Sequence, residues 1–353
     1  MKRKYLLIGA AFLLLLLIGG GVALNYYLTY KRPDVRQETL FYLYPEQSYE
    51  AMLDSLENGQ VFKHPQRFQR AAQRRNLAAY LKPGRYLLKP EMSNQEIIRI
   101  FANGWETPQR ITFRGYIKTL DRLAAYFGKQ FAADSAAFMQ ALSDSTTQQA
   151  LGLNPETMLS LFIPNTYELY WTATPEQVIQ RFKREYDRFW NDDRLTKAKA
   201  LNLTPTEVIT LASIIVQETN HVPEQPAMAA VYLNRLNKGM KLQACPTVIY
   251  ALKDEEPGIT RVLNRHLKYD SPYNTYKYKG LPPGPITIPT ISAIDAVLNR
   301  DKNNYLYFCA NASFDGTHKF TSSYQEHLRN GKAYQRALTA RQKEQAKNNQ
   351  STK

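Results

Sequence analysis

The strongest pattern in the chain is an unbroken apolar run close to its start. Residues Tyr5 to Leu24 form a 20-residue stretch without a charge, and as a helix it would span about 30 Å, the thickness of a bilayer's hydrocarbon core. Met1-Lys2-Arg3-Lys4 precedes it. The pattern predicts a transmembrane anchor over residues 5–27, with residues 1–4 as a basic tip held in the cytoplasm and everything after the anchor outside. A cleaved leader is the competing reading, since Gly21-Val22-Ala23 offers small residues two apart; the apolar run is longer than the usual leader core, which favours an uncleaved anchor.

Beyond the anchor, apolar positions recur at shorter spacings. In residues 39–105, Ser48 opens one helical stretch, and the capping box Ser93-x-x-Glu96 opens another that carries Ile97, Ile98, Ile100 and Phe101 and stops at Asn103-Gly104. Lys82-Pro83-Gly84 is a turn leading into the strand-like Arg85-Tyr86-Leu87-Leu88. Small units of this kind are binding modules more often than enzymes. Residues 107–195 read as a mostly helical connecting region, with Thr174-Pro175-Glu176-Gln177 marking one helix start. Residues 196–338 mix helices with loops rich in Tyr, Pro and Gly, and residues 339–353 read as a polar, disordered tail. The fold class expected is α+β: one N-terminal transmembrane helix, a small module, a helical connection and a mixed α/β domain.

Composition narrows the partners. Among 353 residues, 46 Lys and Arg face 31 Asp and Glu, a formal charge of +15, which calls for an anionic partner. The anchor's orientation excludes nucleic acid and leaves anionic headgroups or an acidic wall polymer. Cys245 and Cys309 are too few for a disulfide scaffold and lack zinc-site spacing, and the five histidines show no metal-binding motif, so no metal or cofactor is expected.

One carboxylate stands out. Thr204-Pro205-Thr206-Glu207 combines a capping box with Pro at the first helical position, so a helix should start there and run to Glu218. Leu211, Ile214, Ile215 and Glu218 are spaced by three, four and seven residues, which puts Glu218 on the apolar stripe. Burial disfavours the ionised form and keeps a carboxyl protonated near neutral pH, as a general acid must be. The plainer reading is a helix-end Glu that bends to solvent or pairs with an Arg. A second helix from about Pro223-Glu224 to Asn237 follows, ending before Gly239. Then come Leu242 to Tyr250, Ser271 to Tyr276 and Gly280 to Pro285, stretches rich in Tyr rings, amides and hydroxyls. Such a surface suits sugars, with apolar ring faces and many hydroxyls; equally, the tyrosines are core and the prolines shape a loop.

Leu211-Ala212-Ser213-Ile214-Ile215-Val216-Gln217-Glu218-Thr219, Asn234-Arg235-Leu236, Leu242-Gln243, Pro246-Thr247-Val248-Ile249-Tyr250, Tyr273-Asn274-Thr275-Tyr276 and Gly280-Leu281-Pro282-Pro283-Gly284 occur in order. Together they resemble the endolytic murein transglycosylases, the MltG or YceG-like family. The likeness extends to Tyr305-Leu306-Tyr307-Phe308, His318-Lys319-Phe320 and, more weakly, Phe162-Ile163-Pro164-Asn165-Thr166-Tyr167. It implies an inner-membrane enzyme with a LysM-like module at 39–105, a catalytic domain at 196–338 and Glu218 as acid/base. The chain departs from the family pattern at Cys245 and Asn165, where Asp is common, and at Val216, often acidic; the change at 245 also raises a Cys245–Cys309 bridge.

The reaction so implied is cleavage of peptidoglycan between N-acetylmuramic acid and N-acetylglucosamine, leaving 1,6-anhydro ends. Glu218 protonates the glycosidic oxygen and then takes the proton of the muramoyl C6 hydroxyl. Asn234, Gln243, Thr247, Tyr273, Asn274, Tyr276 and His318 are the expected substrate-binding residues, although His318 also fits a plain strand position beside the Asp315-Gly316 turn. The resemblance implies glycan-polymerising penicillin-binding proteins as partners. Two rivals stand beside this reading: a hydrolytic muramidase using Glu224 or Asp270 as a second carboxylate, and a non-catalytic glycan-binding anchor protein.

Overall fold

The computed structural model describes residues 2–259 and 261–351. Its architecture mixes helices with three two-stranded antiparallel or paired strand units, and the chain divides into two compact parts.

The first part comprises residues 1–111, 130–133 and 168–174. Helix α1 (Lys2–Tyr26) presents apolar side chains all round, and the rest of the described chain covers none of them. A helix apolar on every side needs an apolar surrounding. It runs on into a π-helical turn, Tyr27–Lys31, whose Thr29 and Tyr30 are buried. Strand β1 (Thr39–Leu43) pairs antiparallel with β2 (Gly84–Leu88), Phe41 opposite Tyr86, and between them lie α2 (Tyr49–Asn58) and α3 (Pro65–Arg74). The side chain of Ser48 accepts a hydrogen bond from the Ala51 N–H and starts α2. Helix α4 (Asn94–Asn103) begins with the expected capping box of Ser93 and Glu96, and ends at Gly104 with φ +65°. Period-two alternation turns Phe41, Leu43, Tyr86 and Leu88 inward, where they meet Phe62, Phe68 and Phe101. Phe62 and Phe68 stack at 4.4 Å between centroids. Burying side chains of this size contributes about 1.5–3 kcal/mol each.

The chain passes from one part to the other within β3 (Gln109–Phe113) and β4 (Asn165–Leu169), and also after residues 129, 133 and 174; β3 and β4 pair with each other. The connecting region read as helical therefore also supplies two strands. They lie more than fifty residues apart, and no local pattern announces such a pairing.

In the second part, α5 (Leu120–Gly128), α6 (Ser135–Ser143), α7 (Ser145–Ala150) and α8 (Pro175–Phe189) gather Phe113, Phe127, Phe162, Tyr167 and Phe182 into an aromatic core. A second core forms around α10 (Pro205–Glu218), approached by α9 (Asp192–Ala200), α11 (Gln225–Asn237), α12 (Cys245–Ala251) and α13 (Ile291–Leu298). Every residue from Val208 to Val216 in α10 is buried. Strands β5 (Tyr307–Ala310) and β6 (His318–Thr321) form a hairpin with Phe308 opposite Phe320.

One expectation needs correction, and one open alternative is resolved. The stretch 339–353 was expected to be disordered, yet α14 (Tyr324–Ser351) continues through it as far as Ser351. Its Ala, Gln, Lys, Arg and Glu are strong helix formers, and no Pro or Gly interrupts after Gly331. Cys245 and Cys309 are free thiols, so no bridge joins them.

Candidate active site

Glu218 is placed by helix geometry. The side chain of Thr204 accepts a hydrogen bond from the Glu207 N–H, the Glu207 carboxylate returns the favour to the Thr204 N–H at 2.8 Å, and Pro205 sets the first turn. Helix α10 then ends at Glu218, because Thr219 turns to an extended conformation. The Thr219 hydroxyl accepts from the His221 N–H at 3.0 Å, steering the chain through a 3₁₀ turn, Val222–Glu224, into α11.

That reversal sets Tyr232 of α11 against the carboxylate. Its hydroxyl donates to Glu218 Oε1 at 2.9 Å, and the ring is 1% exposed. Burial pushes the Glu218 carboxyl up to about 7, with the Tyr232 hydrogen bond pulling it the other way. Burial and the neighbouring Glu218 charge drive the Tyr232 hydroxyl well above its ordinary value, so it stays a donor. Glu218 keeps part of its surface open. The arrangement is a carboxyl that exchanges a proton near neutral pH beside a fixed neutral donor.

Cys245 and Tyr276 stand nearby, Sγ to hydroxyl 3.2 Å, and the Glu218 charge acts on both. Burial raises the Cys245 thiol and the Tyr276 hydroxyl, so both are neutral. Arg235, also on α11, is 8% exposed. Its Nε donates to the Leu306 carbonyl at 2.6 Å, and one Nη to the Leu242 carbonyl at 2.8 Å and Gln243 Oε1 at 3.3 Å. The guanidinium thus ties α11 to the loop before α12 and to the chain entering β5.

The residues expected to bind substrate fall into two groups. Tyr276 is close enough for the Glu218 charge to act on its hydroxyl, and Gln243, exposed with φ +54°, lies on the loop that Arg235 holds. Tyr273 packs on Tyr250 at 4.7 Å between centroids. The others are framework. Thr247 and Asn274 have no exposed surface. Thr247 Oγ1 donates to the Ala244 carbonyl at 2.8 Å, while Asn274 Nδ2 donates to the Leu267 and Tyr269 carbonyls at 3.1 and 2.8 Å. Asn234 spends its amide on the Asn303 and Tyr305 carbonyls, both at 3.0 Å. The fully buried donors of Thr247 and Asn274, committed to backbone carbonyls, hold loops in shape, whereas half-buried Asn234 has only its Nδ2 so engaged. His318 lies on β6, where both its backbone N–H and its ring Nδ1 contact the Glu224 carboxylate, at 2.7 and 3.0 Å. Asp270 is exposed and accepts from Lys277 and Tyr278. Among the described residues, no group of three or more His, Cys, Asp and Glu is placed to hold a metal ion.

Sequence reasoning missed Tyr232. It sits mid-helix in an apolar segment and reads as core; only the fold of α11 onto α10 brings its hydroxyl to Glu218.

The model of the YceG-like family matches residues 41–333. The chain is 28% identical over 305 residues to an endolytic murein transglycosylase of Streptococcus pneumoniae strain D39, covering 78% of this chain and 54% of that protein. It is 33% identical over 209 residues to an endolytic murein transglycosylase of Bacillus subtilis strain 168, covering 57% of each. The chain thus spans about half the length of the curated relatives it matches. A crystal structure of a yceG-like protein from Listeria monocytogenes superposes with a TM-score of 0.53 at 28% identity, covering 83% of this chain and 99% of the other.

Proposed function

Because the chain belongs to the YceG-like family, we propose that it is an endolytic murein transglycosylase anchored by α1 in the inner membrane, with Glu218 as its acid/base. The observation that carries this reading is a carboxyl at the end of the buried helix α10, aimed by the fixed Tyr232 donor, with burial pushing it up to about 7. Protonated, Glu218 gives its proton to the glycosidic oxygen between N-acetylmuramic acid and N-acetylglucosamine. Ionised, it takes the proton of the muramoyl C6 hydroxyl as that oxygen closes on C1, leaving a 1,6-anhydro end and consuming no water. One carboxylate serves both steps. A hydrolytic route needs a second one at a defined distance, and the two acids considered for it are otherwise engaged, Glu224 by His318 and Asp270 by Lys277 and Tyr278.

The names of the curated relatives support the substrate, and the β1-α2-α3-β2 order supports a LysM-like, glycan-binding role for residues 39–105. Residues 196–338 are the catalytic domain in this reading. The apolar surface of α1 supports the anchor, with the rest of the chain on the outer side. Cutting nascent strands beside the bilayer would end their elongation, which makes penicillin-binding synthases natural partners. The test is mass analysis of strand ends released from peptidoglycan by the full chain and by Glu218→Gln. Anhydro-muramoyl ends that vanish in the variant are expected. Reducing ends would replace this reading with a muramidase, and no cleavage by folded protein would leave a glycan-binding anchor.

A further inference from the structure

The junction between α1 and the module is built as part of the module's core. Thr29 and Tyr30 are 5% and 7% exposed, the Asn94 side-chain amide donates to the Thr29 carbonyl at 3.0 Å, and Pro33 pairs with Ser93. The anchor therefore enters the module at a fixed angle, and the same face of the module always surrounds its foot. If residues 5–24 fill the hydrocarbon, Tyr30 lies about 9 Å beyond Leu24 by helical rise. Headgroups occupy roughly the first 5–8 Å outside the hydrocarbon, so Tyr30 stands at their outer edge, where long cationic side chains reach back into them. Tyr26 and Tyr27, both exposed, fall at the interface where such rings collect.

Cations cluster at this level. The Arg75 guanidinium lies 5.4 Å from the Tyr30 ring centroid, so it shares that depth. Lys31 and Arg32 continue the chain there, and Lys31 and Arg99 both act on the charge of Glu96, the α4 capping carboxylate. All four cations are exposed, and among the described residues none forms an ion pair. These four exposed cations, held around the foot of an apolar helix, complement an anionic leaflet.

We infer that Lys31, Arg32, Arg75 and Arg99 form a collar that seats the module on anionic phospholipid headgroups around α1. The inference rests on α1 spanning the membrane and is independent of the chemistry at Glu218. It makes the link between anchor and module a rigid seat in place of a tether.

The test is native mass spectrometry of the full chain released from micelles that hold phosphatidylglycerol and phosphatidylcholine in equal amounts. Wild type should retain phosphatidylglycerol preferentially, and K31Q/R32Q/R75Q/R99Q should lose that preference by roughly fivefold per cation removed. The charge-preserving K31R/R32K/R75K/R99K should keep it, which separates charge from folding. R3Q/K4Q, at the other end of α1, should leave the collar's share intact. Equal retention of both lipids by wild type, or an unchanged preference in the quadruple Gln variant, overturns the proposal. So does displacement of phosphatidylglycerol by soluble poly(glycerol phosphate), which would identify a wall-polymer surface. A chain that washes off membranes altogether would instead refute the anchor.

Discussion

Replacing Tyr232 with Phe removes one oxygen and leaves the ring in place. The lost bond is a 2.9 Å hydroxyl donation to the Glu218 carboxylate from a ring that is itself buried, with the carboxylate partly open. Hydrogen bonds to charged groups contribute about 1.5–3 kcal/mol, and 1.36 kcal/mol corresponds to one pKa unit. The bond favours the ionised form, so its loss moves the Glu218 carboxyl from about 7 upward by roughly one to two units. A general acid must be protonated in the free enzyme, and kcat/KM falls as pH rises through its pKa. In wild type that alkaline limb should lie near pH 7; in Tyr232→Phe it should lie roughly one to two units higher. Below pH 6 the variant should be slower than wild type, because a weaker acid donates less readily and the carboxylate is less firmly aimed. The assay is the initial rate of anhydro-end formation from pH 5 to 9.5. An alkaline limb that stays in place, or moves down, would refute the assignment of Tyr232 as the residue that sets the acid.

Glu218→Gln should abolish cleavage and stabilise the fold at alkaline pH. The folded-state carboxyl titrates at about 7 against 4.5 for an unperturbed one, so the folded chain holds more protons between those values. Stability therefore falls as pH rises through that window, by up to about 3 kcal/mol, and thermal unfolding of the Gln variant should lack this fall. Gly284→Ala should lower Tm by several degrees, since a Cβ there overlaps the Glu156 carbonyl oxygen, a backbone atom that cannot swing away. Glu224→Ala should destabilise by about 1–3 kcal/mol through the orphaned His318 donors while changing the cleavage rate less than tenfold. A folded Glu224→Ala variant as inactive as Glu218→Gln would make Glu224 a second catalytic carboxylate.

Local chemistry made part of this molecule legible from its sequence. The capping boxes at Ser93 and Thr204 are complete within four residues, and both helices start where those residues say. The i, i+3, i+4 stripe put Glu218 among apolar neighbours, and the ordered motifs were sufficient for the family. Features that depend on distant parts of the chain stayed hidden. The β3–β4 pair joins residues more than fifty apart, and Tyr232 acquires its role only when two helices pack. Thr247 and Asn274 read as ligand-binding groups in the sequence; sequence shows a polar side chain but not whether a backbone carbonyl has already taken its donor. Composition misled at the C-terminus, where polar residues were read as disorder although the same residues are good helix formers.

Glu218 is the last residue of α10, and a helix ends in a concentration of backbone carbonyls equivalent to about half a negative charge. Its carboxylate therefore sits at the pole that repels it. The effect is about 0.3–1 kcal/mol, smaller than that of burial but of the same sign. After the first proton transfer the site holds an anion that both its surroundings and its own helix disfavour. In the proposed reaction that makes it the stronger base when the sugar hydroxyl must lose its proton, so the helix end favours the second half and returns the acid to its starting state.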